Sequence, residues 1–155
     1  MRVFYRKRLV VKIIFLDFDG VLINHAALRT RRLDPQRRPA ADPIAVAALN
    51  RIVQATGAEI VVTSTWREEY SPEELRELLT RWDVTGAVVG KTPLAETRGE
   101  EIQAWLQAHA VERFVILDDQ SDMRPLQAHL VKTEAEPGLT QREAEMAIAH
   151  LNLPQ

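Results

Sequence analysis

Two aspartates one residue apart, Asp17 and Asp19, close an apolar run and are followed by glycine, in the segment Ile13-Ile14-Phe15-Leu16-Asp17-Phe18-Asp19-Gly20-Val21-Leu22. In a strand, residues i and i+2 point to the same side, so both carboxylates converge if the strand runs through them. If the strand ends at Phe18, one side chain and one backbone carbonyl converge instead. Gly20 lets the chain turn sharply without a Cβ clash. Paired carboxylates at a strand's carboxyl end suit a cation site with a nucleophile or an acid–base group beside it.

Two later apolar runs end in the same way. Residues 58–63 lead into Thr63-Ser64-Thr65 and then Trp66-Arg67, and Arg113–Leu117 leads into Asp118-Asp119, with Asp122 shortly after. Each feature has an ordinary reading, since hydroxyls often cap the turn after a strand and acidic pairs often sit in solvated loops. Adjacent carboxylates directly after a buried strand, however, repel one another unless a cation or a basic group faces them. A random scatter of polar residues would rarely mark three successive strand ends.

The elements that must carry these residues follow from pattern and punctuation. Residues 10–17 read as a buried strand, nearly continuous in β-favouring apolar residues. Asp42-Pro43 opens a helix that Gly57 stops. Ser71-Pro72-Glu73-Glu74 is a helix start with a capping-box spacing, and Leu75, Leu78, Leu79 and Trp82 form the buried face behind it. Val84–Val89 reads as a short strand, Lys91-Thr92-Pro93 as a loop, and Arg98 to Leu106 as a helix with Ile102, Trp105 and Leu106 inward. Residues 130–133 offer a final strand, and residues 140–152 a closing helix with Ala144, Ala147, Ile148 and Leu151 on one face. Alternating strands and helices of this length predict an α/β fold: a Rossmann-like, open, mostly parallel sheet with helices on both faces. Such sheets bind ligands beyond the carboxyl ends of their strands, where the polar residues lie.

Composition narrows the function. At 155 residues, 46% apolar and 27% charged, the chain fits one soluble domain, 1–155, with a real core. A net charge of −2, from 20 basic and 22 acidic residues, carries no global signature of a nucleic-acid binder. With no cysteine, disulfides, thiolate zinc sites and a cysteine nucleophile are excluded. No apolar stretch approaches the roughly 18 residues of a membrane span. The basic start, Met1 to Val10, has its apolar run broken by Lys12 and lacks a small-residue cleavage site, so it reads as a tail or edge strand and not as a signal peptide. A cytoplasmic protein without membrane partners is expected. The segment at about 24–42, rich in arginine and proline, reads as a basic loop insertion.

Leu16-Asp17-Phe18-Asp19-Gly20-Val21-Leu22 resembles the first motif of the haloacid dehalogenase-like (HAD) superfamily of phosphohydrolases. Thr63 or Ser64 resembles its second motif and Asp118-Asp119 its acidic fourth, in the same order along the chain. The stretches Val-Val-Thr-Ser-Thr-Trp-Arg, Gly-Lys-Thr-Pro and Arg98-Gly99-Glu100-Glu101-Ile102-Gln103-Ala104-Trp105-Leu106 are closer still to a small HAD group associated with RNA-repair proteins. The resemblance implies a HAD-like domain with a minimal cap or none, because only about twenty residues separate Gly20 from the next helix. It implies that Asp17 is the nucleophile forming an aspartyl-phosphate, and that Asp19 protonates the leaving oxygen and then activates water. Thr63 or Ser64 would bind the phosphoryl group. Mg²⁺ would be held by Asp17, the Asp19 carbonyl, and Asp118 or Asp119, with Asp122 steadying the fourth motif. Gly20, Thr65, Trp66, Arg67 and Asp122 complete the expected phosphate or substrate contacts, Trp66 and Arg67 as a stacking and phosphate-gripping pair.

The third motif, usually lysine, has two candidates: Lys91 and Arg98 precede Asp118 by 27 and 20 residues. The family's placement at the helix before the fourth strand favours Arg98, although beside Glu100 and Glu101 it also reads as a solvated helix-start charge. The implied activity is a magnesium-dependent phosphatase, a phosphomonoester hydrolase. Its substrate would be a phosphorylated small molecule or a nucleic-acid end reaching an open site, with the basic loop as one source of phosphate contacts. Phosphotransfer through the same intermediate and a non-catalytic domain binding phosphate ends or proteins are the alternatives. A dinucleotide-binding domain is disfavoured, because the first strand lacks the glycine fingerprint.

Overall fold

The computed structural model describes residues 11–24 and 40–153. The amino-terminal tail and most of the basic insertion fall outside these residues. Five strands, β1 (Lys12–Leu16), β2 (Glu59–Val62), β3 (Val88–Lys91), β4 (Arg113–Asp118) and β5 (Leu130–Lys132), pair in the order β3-β2-β1-β4-β5. All four pairings are parallel, so the sheet is wholly parallel where a mostly parallel one was expected. Among the described residues the α-helices are α1 (Pro43–Thr56), α2 (Pro72–Arg81), α3 (Arg98–Gln107) and α4 (Gln141–Leu151).

The period of two along β1 sorts the core into two layers. Ile14 and Leu16 pack with Leu49 and Ile52 of α1, Leu75 and Leu78 of α2, and Ala144, Ala147 and Leu151 of α4. Ile13 and Phe15 pack on the other face with Ile102 and Trp105 of α3. Both faces of β1 are therefore covered, which is why its sequence is a continuous apolar run without polar alternation.

Local signals set most boundaries. Asp42 accepts from the Ile44 amide at 3.1 Å, Pro43 occupies the first turn, and the Gly57 amide closes α1 on the Val53 carbonyl. Ser71 and Glu74 form a reciprocal capping box at α2, and Thr140 and Glu143 form another at α4. The expected strand Val84–Val89 begins later, at Val88, and runs on to Lys91. The preceding residues are needed to leave α2: Asp83 takes φ +65° and the Val84 amide returns to the Leu79 carbonyl. Lys91, expected in a loop, is thus a sheet residue in register with Val62.

The chain builds β2 and β3 outward on one side of β1 and then crosses to place β4 on the other. The strand order therefore reverses between β1 and β4, the position where open parallel sheets open a crevice at their carboxyl ends. Asp17 and Asp118 stand at those two ends. The ladder extends one residue past the strands: the Asp17 amide donates to the Leu117 carbonyl at 3.1 Å, Thr63 to Leu16 at 2.9 Å, and Thr133 to Asp118 at 3.0 Å. The first polar residue at each strand end is consequently fixed by the sheet itself.

This layering makes a clear contrast between two positions on α1. Leu49→Ala removes a fully buried side chain and should lower unfolding free energy by roughly 2–5 kcal/mol. Ile44→Ala alters a residue 68% exposed and should stay within about 0.5 kcal/mol, both read by urea denaturation.

Candidate functional site

β1 ends at Leu16, and Phe18 turns inward instead of continuing the strand. Its carbonyl accepts from the amides of Val21, Leu22 and Ile23, and its ring packs edge-on against Trp66 and Trp82. The carboxylates of Asp17 and Asp19 therefore do not pair through strand alternation. Asp17 is buried, whereas Asp19 is exposed and accepts from Trp66 Nε1 at 3.3 Å. Gly20 is required twice over: it takes φ +83°, and a Cβ there would overlap the Asp119 carboxylate. The Thr133 hydroxyl donates to the Gly20 carbonyl at 2.7 Å and so ties this turn to the end of β5.

The acidic cluster that does form draws on β1 and β4. Asp17, Asp118 and Asp119 each offer a carboxylate oxygen, all within 4.8 Å of one another. Arg98, at the first position of α3, reaches into it. Its Nη1 donates to Thr63 Oγ1 at 3.0 Å and to Asp118 Oδ2 at 3.2 Å, and lies 3.5 Å from Asp17 Oδ1. Its side chain is only 8% exposed, so the solvated helix-start reading does not hold. Between the two hydroxyl candidates, Thr63 faces Arg98, while Ser64 Oγ caps the following 3-10 turn (Thr65–Glu68) by accepting from the Trp66 amide.

Glu101, one turn along α3, is a site residue that was passed over in the sequence. Its Oε1 lies 3.4 Å from Arg98 Nε, and its Oε2 pairs with Arg67 Nη2. The available signal was the i,i+3 spacing of Arg98 and Glu101, which places both on one helix face. Arg67 itself is 2% exposed and points into the protein, where it donates to the carbonyls of Thr63, Ser64, Thr92 and Pro93. The expectation that it grips phosphate beside Trp66 is corrected, because every edge of its guanidinium is occupied.

Lys91 is likewise turned away. Its Nζ donates to the carbonyls of Arg67 and Tyr70 at 2.9 and 3.0 Å, so Arg98 alone of the two basic candidates meets the acidic cluster. Asp122, expected to steady the fourth motif or contact substrate, is exposed and paired with Arg124 at 2.7 and 2.9 Å, which holds it below the usual carboxylate range, at about 2. Thr65 and Trp66 line an adjoining cleft.

Burial dominates the electrostatics. It pushes the Asp17 carboxyl up to about 6, against the opposing pull of Arg98, and the charges of Asp119 and Asp19 add to the rise. Burial, then the charge of Asp17, push Asp118 to about 7, against the Gln120 amide and Arg98. Among the described residues, four carboxylates (Asp17, Asp118, Asp119, Glu101) meet two guanidiniums (Arg67, Arg98), a formal excess of −2 when all are ionised. An all-oxygen donor set with two uncompensated negative charges fits a hard divalent cation. Asp17, Asp118 and Asp119 are the residues that would hold it.

A model of the HAD domain in Swiss Army Knife RNA repair proteins matches residues 13–144. The chain belongs to this family. No curated protein matches the sequence. The match runs from β1 into the first turn of α4, so the HAD domain includes every residue of the cluster just described. Membership supports a phosphoesterase-like function for it. Among the described residues no helix is long and apolar enough to cross a membrane.

Two measurements test the electrostatics. Because the folded state holds protons on Asp17 and Asp118 that the unfolded chain releases, this pair weakens the metal-free fold as pH rises from about 4 to about 7. Asp17→Asn should therefore gain stability over the parent across that interval, reaching on the order of 2–3 kcal/mol at pH 8 in chelator. Glu101→Gln leaves two buried guanidiniums against a neutral partner and should cost roughly 3 kcal/mol in the same denaturation assay.

Proposed function

We propose that this HAD domain is a magnesium-dependent phosphomonoesterase that works through an aspartyl-phosphate on Asp17. The observation that carries the reading is the single Arg98 nitrogen that joins Asp17, Thr63 and Asp118, one residue from each of three strand ends. A phosphoryl group drawn to that nitrogen and to the Thr63 hydroxyl lies directly against the Asp17 carboxylate. Bound at Asp17, Asp118 and Asp119, Mg²⁺ would neutralise the repulsion between the phosphate and these carboxylates.

In this mechanism an Asp17 oxygen forms a bond to phosphorus as the ester P–O bond breaks, and Asp19 gives a proton to the departing oxygen. Asp19, now ionised, takes a proton from water, whose oxygen attacks phosphorus and releases inorganic phosphate and free Asp17. The exposure of Asp19 and its hydrogen bond to Trp66 suit this role, since the residue must meet both a leaving group and water. Arg98 and Thr63 hold the phosphoryl oxygens through both steps. The family's association with RNA repair makes phosphorylated nucleotides or nucleic-acid ends the first substrates to test.

Phosphate release from adenosine monophosphate with Mg²⁺ is the decisive assay. Asp17→Asn should lower kcat on the order of 10³-fold or more, Asp19→Asn about 10²–10⁴-fold, and chelation should abolish turnover reversibly. Parent-level activity in Asp17→Asn removes the mechanism. Tight binding of a phosphorylated end without release of phosphate would make the domain a binding module.

A further inference from the structure

We propose that the cleft beside Asp19 is the leaving-group site and that it takes a nucleoside. The base would lie against the Trp66–Tyr70 wall, with no second phosphate on that side. The inference rests on the reading above for the role of Asp19 as the acid that meets the leaving oxygen. The cleft, of about 350 Å³, is lined by Thr65, Trp66, Glu68, Glu69 and Tyr70, all from the turn that directly follows Thr63. That volume lies within the range of small-molecule sites. One edge of the Trp66 ring reaches Asp19, so the cleft adjoins the point where the proton must be delivered.

The wall is aromatic and held rigidly. Trp66 and Tyr70 stack with ring centroids 6.3 Å apart and planes 23° from parallel, and Trp66 is packed edge-on against Phe18 and Trp82. Lys91 grips the backbone carbonyls of Arg67 and Tyr70 from behind, and Arg67 anchors the same turn to Thr92 and Glu101. Among the described residues, Lys91 and Arg67 thus fix the shape of the cleft and spend their charge on backbone carbonyls and Glu101. Aromatic ring faces held in place in this way stack on a planar base and gain nothing from a bare sugar phosphate.

The charge of the lining selects further. Among the described residues it holds two exposed carboxylates, Glu68 and Glu69, and no cation. Carboxylates accept hydrogen bonds from the N–H groups on a base edge and repel any additional phosphate placed among them. A nucleoside carrying only the scissile phosphate satisfies both the aromatic wall and the acidic rim. A leaving group that carries a second phosphate into the cleft does not.

The test uses the intact protein with adenosine 5′-monophosphate, ribose 5-phosphate and adenosine 3′,5′-bisphosphate. Calorimetric titrations into the Asp17→Asn protein with Mg²⁺ read the cleft without turnover. The monophosphate should bind about tenfold or more tightly than ribose 5-phosphate and about tenfold more tightly than the bisphosphate. Tyr70→Ala, added to that background, should move the first ratio toward one, and Glu68→Gln with Glu69→Gln should move the second. Equal affinities for the monophosphate and ribose 5-phosphate, or tighter binding of the bisphosphate, overturn the proposal whether or not any ester is hydrolysed. Base-dependent binding with no hydrolysis by the parent protein upholds the cleft and removes the phosphatase reading instead.

Discussion

Two carboxylates that belong to neighbouring strands are forced together inside the protein, and much of the local structure answers that repulsion. Parallel pairing of β1 with β4 puts Asp17 and Asp118 at adjacent strand ends, and the ladder fixes the Asp17 amide on Leu117. Neither residue can swing into solvent without losing the hydrogen bonds that define the sheet. Arg98 is the local counter-charge, yet one guanidinium cannot balance Asp17, Asp118 and Asp119 together. What remains is a negative cluster that a cation, or protons at low pH, can satisfy.

The charge problem extends to a second layer. Arginine differs from the family's usual lysine in having a planar head whose orientation must be set. Glu101 takes its Nε edge, which leaves Nη1 directed at Thr63, Asp17 and Asp118. Arg67 then neutralises Glu101 from the far side and simultaneously gathers the carbonyls of the second-strand turn and of the loop after β3. A side chain suited by type to hold phosphate instead braces the loops beside the acidic cluster. The close approach of Gly99 to the carbonyls of Met123 and Arg124 completes this arrangement, since a Cβ would lie 2.7 Å from the Met123 oxygen and push the start of α3 away.

The difference between the two first-motif aspartates follows from the backbone. Asp17 is the last ladder residue and is therefore buried and held by the sheet, the placement that the proposed nucleophile requires. Asp19 lies beyond the Phe18 turn, exposed and lightly held by Trp66. A residue there can meet groups arriving from solvent, which a buried carboxylate cannot.

Much of the fold was legible in the sequence because its signals are local. Continuous apolar runs marked strands covered on both faces, and the caps at Asp42 and Ser71 marked helix starts. The motif Asp17-Phe18-Asp19-Gly20 marked the family. The boundaries of β3 were not legible, because Val84 to Ala87 carry no charge and run straight into Val88-Val89 but are consumed in the return from α2. Side-chain destinations were decided only by tertiary structure. Trp66-Arg67 are neighbours in sequence, but one lines a cleft and the other is fully buried, since a 3-10 turn sends successive side chains in different directions. Lys91 and Arg98 are both cations able to bind phosphate, and only the tertiary path of the chain turned one onto backbone carbonyls and the other onto Asp17. The sequence by itself determined which chemical groups sit at the three strand ends. Tertiary structure decided which of the remaining charges face them, because direction, unlike strand position, depends on contacts between residues far apart in the chain.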